Sequence, residues 1–471
     1  MRLVIVTMIG LVLMACSPLA LPPAAELAVP DTYSIPVTAN GAVVTEGWWL
    51  DFADSQLSDL QAQLVTGNLN LRQAFLRLDQ LEARQRTAQA GLFPALNLNA
   101  SGRREQSVGQ GGVENQTTSG RLTLAAAYEI DLWQRLRQRT AAAELRLLVG
   151  EEEVRTLLVS LSARLAELYF IAVEQRAQLD LLERRRDRNR ELVRIIDERY
   201  QSGLAAASEL YQAQQNLAQM EAQIPQFETT LHQTSNAIAL LLGQAPGNIR
   251  IELTDLPTLT NIIDIGLPAS LLRRRPDVAA ALLELEAADR DLAAALADRL
   301  PRLDLSANIG RSFTRLSSGD VTGTFWSLAL GLTQPLIDGG RLKAASDLQQ
   351  AIRDEKQIAG QLAILTAIEE VESALVAEQG SFRRGELLEQ QQSMNNRVLK
   401  IRTEDYLLGL TDSLELLRSE MTQLEVRSQQ LSNQRQLISH RISLIRALGG
   451  HWLGENDDSA QSSVKPDKGR S

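Results

Sequence analysis

The sequence has few of the residues from which disulfide frameworks, zinc sites and nucleic-acid surfaces are built. Its one cysteine excludes an intrachain disulfide, and its three widely separated histidines cannot complete a Cys/His zinc cluster. The net charge of −10 leaves no basic surplus to neutralise phosphates, so no nucleic-acid partner is expected. The GxSxG, HExxH, Walker, GxGxxG and CxxC motifs are absent, and the carboxylates are scattered. We therefore expect no enzyme activity, no cofactor and no metal site.

Long hydrophobic runs are also absent, apart from one at the N-terminus. Leu3–Ala15 is too short for a membrane-spanning helix but typical of a signal peptide, predicted as residues 1–15. The run ends in Leu13-Met14-Ala15-Cys16, which resembles a bacterial lipobox. We expect a covalent lipid on Cys16; the alternative is a thiol buried in a helix. Ser17, in place of an aspartate, favours sorting to the outer membrane, and the proline-rich residues 16–47 are predicted to form a lipidated tether.

The sequence contains an internal repeat with an offset of 206 or 207 residues. Short matches recur in the same order at this offset: Leu92–Leu98 with Arg299–Leu305, Ile130–Asp131 with Ile337–Asp338, Arg135–Arg137 with Arg341–Lys343, Tyr200–Leu204 with Tyr406–Leu410, and Leu242–Gly243 with Leu448–Gly449. This order predicts two repeats, at 50–247 and 257–453. The remaining residues, 454–471, are polar and predicted to be a disordered tail.

Both repeats have the same predicted order of elements. A helix, predicted at about 50–90 and again at 269–299, is followed by two segments in which apolar and polar residues alternate, the pattern of strands with one apolar face. These segments predict β-hairpins at about 95–128 and 302–335. A long helical run follows each hairpin; the first, Asp131–Tyr200, would be roughly 100 Å long, with the three-and-four spacing of a coiled coil. Gly203 and Gly409 are predicted to end these long helices, and a return helix follows each.

The alternating segments have the length of tilted transmembrane strands, about ten residues. The alternative is a soluble four-stranded sheet packed on helices. In lipid, four strands cannot stand alone because their edge amides would lack hydrogen-bond partners, so further chains must close a barrel. Two chains would give eight strands and a filled interior, whereas three would give twelve strands and room for a pore. The helices are too charged for lipid and should project into an aqueous space. The expected fold class is an internally duplicated α+β membrane protein.

Three motifs point to one family. Ile265–Val278, which reads IGLPASLLRRRPDV, contains an RRPD signature; Trp48-Trp49 precedes a spaced Asn and Leu pattern; and Leu332–Arg341 contains a QPLIDGGR turn. Together they resemble the outer membrane factor family of TolC, OprM and CusC, and in particular its NodT-type outer-membrane efflux lipoproteins. The resemblance covers about residues 13–453.

This resemblance implies a trimeric 12-stranded transmembrane β-barrel, with four strands per chain, continued by a periplasmic α-barrel of long coiled-coil helices. It implies a homotrimer in the cell outer membrane, held in outer-membrane lipid and docked to a periplasmic adaptor (membrane fusion protein) and an inner-membrane RND-type transporter. The implied function is passive export of small molecules such as drugs, solvents or metal ions. A TolC-like duct for type I protein secretion and a membrane-tethered coiled-coil scaffold are the alternatives. The cargo and the particular pump stay open.

The resemblance also implies a gate, because the family closes its periplasmic end just after the second helix tip. The matching segment here is Tyr406–Glu420. Leu414 matches the apolar constriction position and Glu415 the first acidic position, whereas Arg418 stands where the family usually has a second acid. We expect stacked rings of Glu415 and Arg418 that hold the closed state. The alternative is a solvated ion pair worth less than about 1 kcal/mol, and ion selectivity is left open.

The two helix tips are the remaining candidate sites. Gly203-Leu204 and Gly409-Leu410 resemble the turns with which the family contacts its adaptor. Simple capping of the preceding helix is the alternative interpretation for both turns.

Overall fold

The computed structural model describes residues 47–108, 114–252, 255–259, 274–316, 319–411 and 413–450. The predicted signal peptide, Cys16, nearly all of the predicted tether and the predicted tail lie outside these residues.

Two similar sets of elements follow one another along the chain. The first contains a 3-10 helix at Trp48–Phe52 and then α1 (Ser55–Gly67), α2 (Leu69–Ala90), β1 (Ala95–Val108), β2 (Glu114–Glu129), α3 (Arg135–Gln201) and α4 (Ala207–Leu241). The second contains α5 (Pro276–Ala297), β3 (Arg302–Leu316), β4 (Gly319–Thr333), α6 (Arg341–Leu407) and α7 (Ser413–Ala447). The corresponding long helices have equal lengths, 67 residues in α3 and α6 and 35 residues in α4 and α7. From α2 and from α5 onwards, the two repeats therefore adopt the same succession of one helix, two strands and two long helices.

The strands form one antiparallel sheet in the order β1-β2-β3-β4. Its register aligns Leu98, Leu124, Ile309 and Trp326 in one row across the sheet. These side chains share a face because residues directly opposite each other on paired strands point the same way. They are 69%, 39%, 60% and 78% exposed. The sheet therefore presents an apolar face that the chain itself does not cover.

The next row lies on the opposite face and contains Asn99, Thr123, Gly310 and Phe325. The Phe325 ring lies over Gly310, where an added Cβ would be 2.5 Å from the Leu122 carbonyl oxygen and 2.7 Å from Phe325 Cζ. On the apolar face, the Phe313 ring covers Gly120 in the same way, at 2.1 Å from an added Cβ. Each ring thus fills the space above a glycine on the neighbouring strand.

The chain divides into two compact units. The sheet unit contains the described residues of Arg77–Glu151 and Ala280–Leu362, and with them the four strands. The helical unit contains the described residues of Ala28–Leu76, Glu152–Ala279 and Ala363–Ser471. In the helical unit, aromatic and aliphatic side chains form the largest buried cluster, which includes Trp48, Phe52, Leu57, Leu64, Tyr169, Phe170 and Ile438.

The first helix that the sequence predicts is divided in the structure by Asn68, which separates α1 from α2. The Asn68 Oδ1 accepts the N–H of Leu71 at 2.8 Å and so caps the start of α2. Its Nδ2 donates to the carbonyl oxygen of Leu241, at the end of α4, at 2.6 Å. One buried amide thus satisfies backbone groups at a helix N-terminus and at a helix C-terminus.

The corresponding junction in the second half uses an ion pair. The buried Arg275 donates from Nη1 to the carbonyl oxygen of Ala447, at the end of α7, at 3.0 Å. Its other nitrogens bind both carboxylate oxygens of Asp277, at 3.0 and 2.7 Å, in the first turn of α5. Burial opposes the ionisation of Asp277, but the hydrogen bond and the charge of Arg275, together with backbone N–H groups, outweigh it and lower the pKa of this carboxyl. Arg275 and Asp277 belong to the RRPD signature, so this signature builds a helix junction.

Within the described residues, α3 contains an 18-residue stretch long and apolar enough to cross a membrane, with a mean hydropathy of 1.6. Of that stretch, 61% is buried inside the protein, as it would also be in the core helix of a soluble protein.

The close approach of backbone at the junction of α1 and α4 predicts that adding one methyl group at Gly243 destabilises the protein strongly. Gly243 has φ +69°, and its Cβ would lie 2.2 Å from the Gly67 carbonyl oxygen. We expect Gly243→Ala to lower the free energy of unfolding by at least about 2 kcal/mol. The control is Gly380→Ala on α6, where an added Cβ meets nothing within 4 Å and should stabilise by roughly 0.5–1 kcal/mol. Thermal unfolding in detergent, followed by circular dichroism, measures both; a Gly243→Ala protein that melts at or above the wild-type temperature would contradict the prediction.

Candidate functional site

The apolar face of the sheet has the dimensions of a membrane-facing band. On β3 the band runs from Leu303 to Phe313 and contains one charged residue, Arg311. Ten residues at about 3.3 Å each, tilted by about 40°, span roughly 25 Å, the height of the apolar band of an outer-membrane barrel. Its large side chains are 39–78% exposed: Leu96, Leu98, Leu122, Leu124, Ile309, Phe313, Trp326, Leu328, Leu330 and Leu332. A surface this apolar on a single chain needs lipid to cover it.

The opposite face is small and polar. It carries Asn97, Asn99, Ser101, Thr123, Ser306, Asn308, Ser312 and Ser327, in register across the four strands. A side-chain hydrogen bond of 3.3 Å joins the Asn308 amide to the Ser327 hydroxyl on this face. The alternation therefore gives a sheet with one face suited to lipid and one suited to water.

The edge strands β1 and β4 each pair on one side only within the chain. Their outward N–H and C=O groups would be without partners in hydrocarbon, at a cost of several kcal/mol for each group. Pairing with the edges of other copies removes that cost and closes a barrel. The polar face then lines the interior.

At the helix end of the sheet, two aspartates start the long helices. The Asp131 carboxylate accepts the N–H groups of Leu136 and Arg137, at 3.1 and 2.9 Å, at the start of α3. The Asp338 carboxylate accepts those of Gly340 and Leu342, at 3.0 and 2.9 Å, at the start of α6. These backbone hydrogen bonds lower the pKa of Asp338. The repeated aspartates are thus helix caps that set where the strands give way to helices.

The two helix tips have the same backbone geometry. Gly203 and Gly409 have φ +75° and +72°, the left-handed conformation that favours glycine. The N–H of Leu204 donates to Arg199 O at 2.7 Å, and the N–H of Leu410 donates to Asp405 O at 2.8 Å. These are the long bonds of two Schellman motifs. The structure therefore places both glycines as helix C-caps.

The same turns leave large apolar side chains in solvent. Leu204 and Leu410 are 71% and 72% exposed, and Leu407 and Leu408 beside the second tip are 77% and 73% exposed. Capping needs only the glycine backbone, so it does not account for exposed leucines at both tips.

The predicted gate residues Glu415 and Arg418 form an ion pair. Arg418 Nη1 donates to Glu415 Oε1 at 3.1 Å within the first turns of α7. The Glu415 carboxylate also lies 3.7 Å from Arg402 Nη2 on α6. The Glu415 side chain is 39% exposed and that of Arg418 is 67% exposed. Glu415 thus bridges the two helices of the second tip, and Leu414, on the same turn, is half-buried.

Sequence reasoning missed several partners of this region. Arg402 was not predicted to bind Glu415, and the Arg199 guanidinium stacks 5.2 Å from the centre of the buried Tyr406 ring, joining α3 to α6 near the tips. Burial raises the pKa of Glu420 on α7, an effect that the charges of Arg185 and Arg188 partly offset. The spacing along one helix could suggest Glu415–Arg418, but nothing in the sequence identifies partners on another helix.

Within the described residues, His, Asp and Glu side chains form no group of three that could hold a metal ion. Cys16 lies outside the described residues.

Comparison with known proteins identifies the family. Residues 60–244 and 267–450 match the family described as "Outer membrane efflux protein". Outer membrane protein OprJ of Pseudomonas aeruginosa is 30% identical over 94% of this chain and 95% of that protein. Pyoverdine export outer membrane protein OpmQ of Pseudomonas putida is 28% identical over 95% of this chain and 97% of that protein. These relatives are channel proteins rather than enzymes.

Solved structures agree with this assignment. The outer-membrane channel OprN has a TM-score of 0.83 and 26% identity, and the match covers 92% of this chain and 99% of that one. CusC, at 24% identity and a TM-score of 0.81, has the same fold and is covered in full. These channels combine a trimeric barrel with a helical periplasmic domain, so the predicted fold class is confirmed. The predicted localisation, an outer-membrane channel with a periplasmic extension, is also confirmed. The chain belongs to the outer membrane efflux protein family and is the outer-membrane channel of a tripartite efflux system.

Proposed function

We propose that this channel exports small organic molecules passively, without catalysis, as the outer component of a pump completed by a periplasmic adaptor and an RND-type inner-membrane transporter. The observation that carries the proposal is the two-faced sheet with open edges, because it builds a water-filled passage only when copies of the chain assemble. The names of relatives support the cargo class: they include pyoverdine export, antibiotic efflux and toluene efflux proteins. Reconstitution into planar bilayers tests for the passage, and the absence of any channel conductance would contradict it.

We further propose that the ion pairs of Glu415 hold the periplasmic end closed. Glu415 binds Arg418 on its own helix and lies close to Arg402 on the other helix of the tip. An exposed pair contributes up to about 1 kcal/mol. Over three chains this amounts to about 3 kcal/mol, enough to shift a closed–open equilibrium roughly a hundredfold. Leu414, one residue before Glu415, would supply the apolar constriction.

The gate proposal predicts that Glu415→Ala and Arg418→Ala channels conduct more than wild type. Glu415→Ala removes the contact with Arg402 that joins the two helices of the tip, and Arg418→Ala leaves the like charges of the Glu415 ring uncompensated, so either change opposes the closed arrangement. Single-channel recording in planar bilayers measures the conductance and the open fraction.

The matched control is Glu286→Ala on α5, which breaks an exposed pair with Arg290, four residues along the same helix and 3.0 Å away, on a helix that does not form the tip. This variant should conduct as wild type does. Wild-type conductance in both Glu415→Ala and Arg418→Ala would show that these residues form only a solvated pair.

The exposed leucines at the tips predict contact with the adaptor. The chain's one native cysteine, Cys16, is the proposed lipid site, so a cysteine introduced at Ser202 or Leu408 would be the free thiol of the lipidated protein. We expect both to cross-link to a periplasmic protein in the native host. The control is Leu240→Cys, equally exposed at the other end of α4. Equal cross-linking at Leu240, or none at either tip, would contradict the contact.

The lipobox leads us to propose that the mature chain begins at an acylated Cys16. Acyl carbons contribute about 0.8 kcal/mol each when buried in a membrane, so the N-terminus would be held at the bilayer independently of the barrel. Cells fed radiolabelled palmitate should label the wild-type chain and leave Cys16→Ser unlabelled. Equal labelling of both proteins would place the lipid elsewhere.

A further inference from the structure

The water-facing side of the sheet carries an isolated positive charge. Across the described strands of this face, charged groups lie towards the helix end, at Glu129, Arg302 and Asp304, and a charged pair lies towards the hairpin end, at Arg103 and Glu105. Between these levels the register places a single charged residue, Arg121 on β2. It stands between Ser101 on β1 and Ser312 on β3.

Arg121 has no carboxylate partner within the part of the chain that the structure describes. Three other arginines of the sheet do: Arg103 lies 3.1 Å from Glu105, Arg302 lies 3.3 Å from Asp298, and Arg315 lies 3.1 Å from Asp320. Because β2 is flanked on both sides by strands of its own chain, another copy of the chain cannot pair beside Arg121. The nearest charge of the same face, Arg103, is also positive. The guanidinium charge is therefore available to a solute.

A phenylalanine holds this guanidinium in place. The Arg121 Cζ lies 5.1 Å from the centre of the Phe325 ring, within range of a cation–π interaction. The ring itself lies over Gly310, where any side chain would collide with it, and Phe325 is the one residue of β4 that is partly buried in the chain. Gly310 leaves room for the Phe325 ring, and the ring in turn orients the Arg121 side chain along the polar face of the sheet.

We propose that Arg121, seated on Phe325, forms with the same residues of two further copies an anion-binding ring inside the barrel, which favours flat organic anions. The inference rests on the proposed assembly of chains into a passage and goes beyond it by assigning a solute class. Three copies related by symmetry bring three guanidinium groups to one height. Guanidinium groups bind carboxylate, sulfonate or phosphate oxygens with two parallel hydrogen bonds, and the adjacent phenyl rings offer an aromatic surface.

Binding of pyrene-1,3,6,8-tetrasulfonate tests this ring. The dye is flat and carries four negative charges, and fluorescence anisotropy reports its binding to the full-length protein in a neutral detergent. We expect Arg121→Gln to weaken binding at least about tenfold, since three charges facing the ligand are removed. Arg121→Lys, which retains the charge but not the planar fork, should fall between wild type and Arg121→Gln.

The matched control is Arg311→Gln. Arg311 lies opposite Leu122 on β3, one residue from the level of Arg121 but on the lipid-facing side. Its removal changes the net charge equally and should leave dye binding unchanged. Equal weakening by Arg311→Gln and Arg121→Gln, or wild-type binding by Arg121→Gln, would overturn the ring.

The reversal potential of the channel in a salt gradient gives a second readout, because it reports the ratio of anion to cation permeability. Arg121→Gln should lower this ratio, whereas Arg311→Gln should leave it unchanged. An unchanged ratio in Arg121→Gln would count against the ring. If the wild-type protein forms no conducting channel, the proposed function fails while the dye measurement still decides the ring.

Discussion

The fold depends on the fact that backbone amides must be hydrogen-bonded in hydrocarbon. One chain supplies four strands, which are too few to close a barrel. Its two open edges would leave backbone N–H and C=O groups without hydrogen-bond partners in lipid. Association is therefore a condition for membrane insertion. The small polar side chains of the inner face follow from the same constraint, because a closed barrel of twelve strands has an interior that water can fill. The passage is a property of the assembly, and no single chain contains it.

The two repeats share most of their elements, but the junction between helix ends is built from different side chains in each. In the first half, Asn68 satisfies both helix ends with one neutral amide. In the second half, Arg275 and Asp277 do so with an ion pair that also reaches Glu370, 2.7 Å from Arg275. A neutral amide is insensitive to pH and salt, whereas a buried ion pair must remain ionised. The junction that carries the RRPD signature therefore depends on the ionisation of its side chains, whereas the junction at Asn68 does not.

Much of the architecture follows from the sequence. Alternation over ten residues identified the strands, and the repeat placed them twice, because periodicity and order are local properties. The break at Asn68 was missed because the apolar helical pattern continues on both sides of the Gly67-Asn68 pair, while the contact between the Asn68 amide and the Leu241 carbonyl oxygen joins residues far apart in sequence. The partners Arg402 of Glu415 and Tyr406 of Arg199 were missed for the same reason: both contacts join different helices. Spacing along one helix gives Glu415 and Arg418, but the angle between helices is a property of packing.

The two rings that lie over glycines also constrain how this sheet can change over time. Phe313 occupies the space above Gly120, and Phe325 occupies the space above Gly310. A side chain gained at Gly120 collides only with the Phe313 ring, whereas one gained at Gly310 also meets the Leu122 carbonyl oxygen, 2.5 Å from an added Cβ. Gly120 and Phe313 should therefore be replaced together among relatives, because either change alone leaves a collision or an uncovered stretch of backbone. Gly310 should remain glycine whatever replaces Phe325, because the backbone of the neighbouring strand cannot move aside. The sheet therefore contains one pair of positions, on adjacent strands but far apart in sequence, that inherit their identities jointly.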